Sequence, residues 1–241
     1  MKKGFTLFAL IFHLLLFHAN AQEIKLKIEH LHKDFYVYTT YMIYKGTATP
    51  ANGMYLVTEQ GVVMFDTPWD PSQNQPLLDS IAKKHHKKVV LAFATHSHED
   101  RTAGLEFLND LGVKTFTTWQ TDSISKLHQF KRAKNHFKSD TIFQLGQYSF
   151  QTFYPGPGHT QDNIVIWFPN DKILYGGCFV KSTEAKDLGN LADANTNLWP
   201  ISLKNVLKNF PNTDFVVPGH QSWKNKFSIE HTMKLLADFK K

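Results

Sequence analysis

Two histidines and an aspartate alternate in the stretch THSHEDR (His96, His98 and Asp100), directly after the apolar run KVVLAFA. Further along, His159 follows YPGPG, Cys178 follows ILYGG and His220 follows FVVPG. Imidazole nitrogen, carboxylate oxygen and thiolate sulfur are the donors that Zn²⁺ takes, usually four to a centre. Six candidates are too many for one tetrahedral ion. They suit two sites of three protein ligands each, with a position left for water, which is the pattern of catalytic and not of structural zinc. A water bound in this way has its pKa lowered to roughly 7 from 15.7, so hydroxide is at hand near neutrality. Standing alone, Cys178 would read as a small buried hydrophobe; its companions make it a ligand candidate. Of the thirteen histidines, His13 and His18 belong to the leader described below. His30, His32, His85, His86, His128, His136 and His231 read as surface or capping residues.

Each donor must be held by the element before it. The runs FYVYTT, MYLVTEQGVVMFD and KVVLAFAT read as strands, followed by a helical segment. DTIFQLGQYSFQTFY, NIVIWF, KILYGG and DFVVPGH repeat that strand character in the second half. Every ligand-type residue therefore sits just past a strand end, where loops on a rigid sheet carry function. Glycines at 156, 158, 176, 177 and 219 allow tight turns beside them. Helices are predicted at residues 76–85, 102–111, 122–130, 202–210 and 228–239, the last capped by Ser228 with Ile229, Met233, Leu236 and Ala237 on one stripe. Residues 39–55 read as two strands joined at Lys45-Gly46. Sheets dressed with helices at two levels give a layered α/β sandwich. The length of 241 residues admits one large unit or two small domains, and no linker composition favours two.

Residues 1–21 read as a signal peptide: Lys2 and Lys3 precede an apolar run from Phe5 to Phe17, and Ala19-Asn20-Ala21 offers a small-x-small cleavage site. The apolar run is shorter than the roughly 20 residues that a spanning helix requires, so no membrane attachment is expected after cleavage. A chain exported to the periplasm with Cys178 as its one cysteine forms no internal disulfide and relies on its core. The net charge of +6 falls by two, to +4, once Lys2 and Lys3 are removed. This mild basicity, with export, argues against a nucleic-acid partner. The run KKHHKK, Lys83 to Lys88, reads as a helix end whose lysines complement the dipole.

THSHEDR, GPGHTQDN, GGCFVKS and LGNLADAN, followed by VPGH, together resemble the metallo-beta-lactamases over nearly all of the chain after residue 21. The HxHxD element alone is shared with glyoxalase-type thioesterases, lactonases and RNA-processing nucleases. Arg101, where many superfamily members carry histidine, and Cys178, where many carry aspartate, resemble the di-zinc subclass with a three-histidine site and an Asp-Cys-His site. The resemblance implies a single domain over 22–241 with a four-layer αβ/βα sandwich. It implies one zinc on His96, His98 and His159 and a second on Asp100, Cys178 and His220. It also implies hydrolysis of the lactam amide of penicillins, cephalosporins and carbapenems by a zinc-bound hydroxide, without a covalent acyl-enzyme, with Asp100 orienting the water.

Lys181 resembles the family's lysine for the substrate carboxylate, and Asn190 its asparagine for the carbonyl oxygen. LGN is also a good turn sequence, which gives Asn190 a second reading. Asp66, past another strand end, is expected to accept a ring proton from a metal-bound histidine. Arg101 is expected to pair with Asp100 or lie near the Cys178 thiolate; a surface salt bridge accounts for it equally well. In similar enzymes a hairpin corresponding to residues 39–55 closes over substrate, and Met42 and Tyr44 offer apolar contacts there. The protein is expected to be a monomer. Two other readings of the donors remain: a sister hydrolase acting on thioesters or lactones, and a non-catalytic zinc-binding protein.

Overall fold

A computed structural model describes residues 26–240. The leader predicted over residues 1–21 lies outside them. Among the described residues, the first half of the chain forms β1 (Lys27–His32), β2 (Phe35–Tyr44), β3 (Thr47–Thr58), β4 (Gly61–Phe65), α1 (Asn74–His85), β5 (Val89–Phe93), α2 (Glu99–Thr102), α3 (Leu105–Asp110), β6 (Lys114–Thr118), α4 (Trp119–Leu127) and β7 (Asn135–Phe137). The second half forms β8 (Thr141–Leu145), β9 (Tyr148–Phe153), β10 (Val165–Phe168), β11 (Ile173–Gly177), α5 (Trp199–Asn209), β12 (Phe215–Pro218) and α6 (Ser228–Phe239). One sheet takes β1 to β7 in sequence order, and the other runs β12-β11-β10-β9-β8.

Period-2 alternation decides which residues face which layer. Val63 and Phe65 of β4 enter the core between the sheets, where they meet Phe150, Ile166 and Phe168. Their neighbours Val62 and Met64 point the other way and pack on Leu77 and Ile81 of α1. In the second sheet Val165, Leu174 and Val216 pack outward on Leu203 and Val206 of α5 and on Ile229 and Leu236 of α6. Both sheets are thus apolar on two faces, and the order of layers is helix, sheet, sheet, helix. This is the αβ/βα sandwich.

The hairpin predicted at 39–55 forms: Tyr44 pairs with Thr47 across a turn in which Lys45 and Gly46 both have positive φ. MYLVTEQGVVMFD divides into two antiparallel strands around Glu59 and Gln60. The helix expected at 102–111 is split into α2 and α3. Gly104 lies so close to Asn74 and Thr67 that a Cβ there would overlap both, and its amide donates to Thr67 Oγ1 at 2.9 Å instead of continuing the helix. α4 begins at Trp119 and not at 122, because Thr118 Oγ1 accepts from the Thr121 amide at 3.0 Å. α5 starts at Trp199, with proline in its first turn. Ser228 is not the cap of α6 but its first residue, and its hydroxyl donates to Asn225 O at 3.0 Å.

Strand direction then explains where the loops gather. β4 and β5 are parallel, as are β11 and β12, and β9 is antiparallel to β10, which is antiparallel to β11. The C-terminal ends of β9, β11 and β12 therefore share one edge of their sheet, and those of β4 and β5 share one edge of theirs.

Candidate metal centre

Asp66 closes β4 in a left-handed conformation, φ 64°, and its amide donates to Phe93 O at 2.6 Å, which ties the ends of β4 and β5 together. Its carboxylate accepts from the Thr95 amide (2.7 Å), Thr95 Oγ1 (2.9 Å), Tyr175 Oη (2.7 Å) and Arg101 Nη1 (3.3 Å). Among the described residues no histidine ring reaches it. The expected carboxylate–histidine contact is replaced by a relay, because Thr95 stands between: its hydroxyl is 3.3 Å from His96 Nδ1. The ends of β11 and β12 are joined by the Gly219 amide donating to Gly177 O at 2.7 Å. A Cβ on Gly219 would lie 2.6 Å from the Cys178 nitrogen and 2.8 Å from its Sγ, so only glycine lets His220 and Cys178 approach.

These connections bring all six sequence-predicted donors to one place. The rings of His96, His98 and His159 stand mutually edge-on, with centroids 4.9–5.1 Å apart, and donor atoms of all three lie within 4.8 Å of one another. Beside them Cys178 Sγ is 3.1 Å from Asp100 Oδ2 and 3.3 Å from His220 Nε2, and that nitrogen is 3.0 Å from Asp100 Oδ2. His96 lies at the seam, its Nε2 4.0 Å from Asp100 Oδ1. Among the described residues, His96 Nε2 and His159 Nδ1 are buried without a hydrogen-bond partner. Unpartnered buried nitrogens are costly unless something binds them. Three imidazoles on one side and a carboxylate, a thiol and an imidazole on the other fit zinc by donor type and by number.

Two of the other rings are held from behind. His220 Nδ1 is 2.6 Å from Pro50 O, which leaves Nε2 facing Asp100 and Cys178. His98 Nε2 is 2.9 Å from Asp193 Oδ2, which leaves Nδ1 as the ring's other donor. Nothing in the sequence pointed to Asp193, which stands 95 positions away.

Arg101 is fully buried, which removes the surface-salt-bridge account. Its Nη2 reaches Asp100 Oδ2 at 2.9 Å and Gly219 O at 2.9 Å, while Nη1 reaches Asn52 O at 2.6 Å and Asp66 at 3.3 Å. Burial works against ionisation of Asp100, but Arg101, then His220 and His96, outweigh it and hold the carboxyl well below the usual carboxylate range. Burial pushes the Cys178 thiol up, with Arg101 pulling it back and Asp100 adding to the rise. Burial lowers Lys181, opposed by Cys178 and Asp100.

Burial also holds His96 and His159 well below the ordinary histidine value. An unfolded chain protonates its histidines near pH 6.5. As pH falls below about 6.5 the unfolded state takes up protons that the folded one refuses, so stability of the metal-free protein is lost downward from there and is insensitive to these two groups above it. Melting temperatures of chelator-treated protein between about pH 8 and pH 5 should fall toward the acid end; a flat profile would contradict the burial argument.

A cavity of about 430 Å³ opens onto these side chains, lined among others by His98, Asp100, His159, Lys181, Asn190 and His220. Tyr44 of the β2–β3 hairpin and Trp69 form part of its wall, their rings 5.3 Å apart; Met42 does not line it. Lys181 is 9% exposed and anchored by its amide to Thr232 Oγ1 of α6 at 2.8 Å. Asn190 is exposed, and its Oδ1 accepts from the Ala192 amide at 3.2 Å, which is the turn that its LGN context suggested.

With this geometry in place the comparisons with known proteins decide the family. The sequence profile of the metallo-beta-lactamase superfamily matches residues 46–220. The chain belongs to that superfamily. It is 46% identical over 215 residues to the metallo-beta-lactamase type 2 of Elizabethkingia meningoseptica, covering 89% of this chain and 86% of that protein. It is 40% identical to metallo-beta-lactamase IND-1 of Chryseobacterium indologenes, covering 84% and 85%. Among solved structures, a metallo-beta-lactamase from Pontibacter korlensis superposes with a TM-score of 0.85 at 33% identity, over 89% of this chain and all of the other. Metallo-beta-lactamase fold and donor constellation thus occur together in this chain.

Proposed function

We propose that the protein is an exported zinc-dependent beta-lactamase that opens the lactam amide of penicillins, cephalosporins and carbapenems. The observation that carries this reading is one cavity in which two adjacent donor sets and the buried cation Lys181 converge. Two zinc ions are assigned, one to His96, His98 and His159 and one to Asp100, Cys178 and His220. Bound there, zinc supplies a Lewis acid and water acidified to near-neutral pKa. The chain's own residues do the rest. Asp100 Oδ2 is occupied by Arg101, His220 and Cys178, so Oδ1 is the oxygen left to orient a water. Lys181 meets the substrate carboxylate, and Asn190 donates to the lactam carbonyl oxygen once its side chain leaves the turn. Asp66 and Arg101 hold the donor loops in place. Residues 1–21 direct export to the periplasm, and the protein acts there as a monomer.

Purified protein should hydrolyse a chromogenic cephalosporin, lose turnover on dialysis against a chelator and regain it with added zinc. Activity that survives complete zinc removal defeats the proposal, as does a stable acyl-enzyme found by mass spectrometry. Hydrolysis of a thioester or lactone in place of the cephalosporin would favour the sister-hydrolase reading.

Lys181 faces a carboxylate that neither forms nor breaks bonds, so its interaction is equal in ground and transition states. Lys181→Ala is therefore expected to raise KM while kcat falls far less. A pair at 4 Å and an effective dielectric of 20 is worth about 4 kcal/mol before desolvation and salt reduce it. A net loss of roughly 1.4 to 3 kcal/mol, about ten- to hundredfold in kcat/KM, follows. Steady-state kinetics in which KM stays unchanged would show that the substrate lies otherwise.

A further inference from the structure

One wall of the cavity rests on a narrow ribbon. Among the described residues β1 pairs with β2 only as far as Thr39, and β4 meets β3 only from Met54. From Thr40 to Ala51 the hairpin is therefore two strands wide. A ribbon of two strands is marginally stable in water by itself. It nevertheless carries Tyr44, which is 41% exposed and yet lines the cavity.

Where β1 stops, a side chain takes its place. Gln73 Oε1 accepts from the Tyr41 amide at 3.0 Å, and Gln73 Nε2 donates to the Tyr41 carbonyl. A carboxamide that accepts and donates at one residue supplies what a neighbouring strand would. Gln73 stands at the N-cap of α1, where a side chain normally bonds the free amides of its own helix. It makes no such bond and reaches across to β2 instead. Asp70 steadies it, with Oδ2 3.3 Å from Gln73 Nε2 and Oδ1 accepting from the Ser72 amide at 2.9 Å.

Tyr41 faces Pro50 across the ribbon, and the Pro50 carbonyl is 2.6 Å from His220 Nδ1. This one cross-strand pair is thus held by Gln73 on β2 and by His220 on β3. Trp69 and Gln73 belong to the same short segment between β4 and α1, and the Tyr44 ring stands 5.3 Å from that of Trp69. Root and tip of the ribbon therefore lean on one segment, by a polar contact at Tyr41 and an aromatic one at Tyr44. On the beta-lactamase reading, on which this inference rests, the wall made by Tyr44 and Trp69 borders the substrate. We infer that Gln73 is a positioning residue, whose two bonds to Tyr41 fix the root of the hairpin so that this wall is assembled before substrate arrives. Without those bonds the wall is complete in only a fraction of the molecules. Affinity then falls by that fraction, while a complex once formed reacts as before.

The test uses the zinc-loaded enzyme and Gln73→Met, which keeps the length of the side chain and removes both bonds. Amide exchange followed by NMR without substrate should show Tyr41 exchanging at least about tenfold faster in the variant, while Val37 and the amides of β4 keep their rates. A general loss of stability would speed them all. With a chromogenic cephalosporin, KM should rise about three- to tenfold, the scale of two half-exposed hydrogen bonds, and kcat should change by less than about twofold. Zinc content should stay as in the wild type, because His220 keeps Pro50. In a Tyr44→Ala background Gln73→Met should add little to KM, since no ring is left to place, although the bonds of Gln73 run to Tyr41. An unchanged exchange rate at Tyr41 overturns the inference, as does strict additivity of the two changes on KM or a loss confined to kcat. Zinc loss in Gln73→Met also overturns it, by making the bonds a support of His220 and not of the wall. Failure of the wild type to open any beta-lactam would instead defeat the beta-lactamase reading, and the exchange rates, measured without substrate, would still judge what Gln73 holds.

Discussion

Replacing Arg101 by alanine is expected to destabilise the metal-free fold by about 3–5 kcal/mol, because it strands buried carboxylates without their cation. Asp66 and Asp100 are both buried, and Arg101 reaches each of them while also donating to the carbonyls of Asn52 and Gly219. Those acceptors come from β3, the loops after β4 and β12, and its own helix α2, so one guanidinium fastens four segments around the donors. Urea denaturation of chelated protein measures the loss. Arg101→Lys should recover only part of it, since a single ammonium cannot fork among four acceptors. Zinc should narrow the gap, because a ligand that binds the folded state alone stabilises it and brings positive charge back beside Asp100. A loss below about 1 kcal/mol would mean that the carboxylates are satisfied by something other than Arg101.

What the sequence showed clearly was local. His96, His98 and Asp100 are spaced by one residue, and His159, Cys178 and His220 each follow a strand-like run and a glycine, so donor types could be picked out without knowing where the strands pair. A layered α/β arrangement was legible for the same reason, since continuous apolar runs such as Val62 to Phe65 belong to strands buried on both faces, whereas the order of the four layers came from the family resemblance. Less legible was whatever depends on contacts distant in sequence. Arg101 looked the same on paper as a surface partner or a buried one, and only the convergence of β3, β4 and β12 on it made it buried. Asp66 was expected at a histidine because both end strands; the intervening Thr95 hydroxyl could not be foreseen from spacing. Helix starts failed where a neighbouring element supplied the cap or the obstruction, as Thr118 does for α4 and as Asn74 and Thr67 do at Gly104.

Cys178→Ser should drop zinc content from about two ions toward one per chain and lower kcat more than it raises KM. Cys178 is the one sulfur donor in the centre, 3.1 Å from Asp100 and 3.3 Å from His220, whereas His96, His98 and His159 form a set that does not include it. Serine keeps the size but offers a neutral hydroxyl where zinc selects a thiolate, so the Asp100–His220 side should weaken and the three-histidine side remain loaded. Because burial holds the metal-free thiol protonated, forming the thiolate on binding must release a proton. Calorimetry in buffers of differing ionisation heat should therefore count at least one proton fewer released by the serine variant than by the wild type. The kinetic split has a separate reason. On the proposed mechanism, a zinc held by Asp100, Cys178 and His220 would stabilise the lactam nitrogen as it leaves; such a group acts mainly in the transition state, so weakening it lowers kcat and kcat/KM together. Unchanged metal content with unchanged kcat would reduce Cys178 to packing, and two ions bound with impaired turnover would place its role in the chemistry and not in affinity.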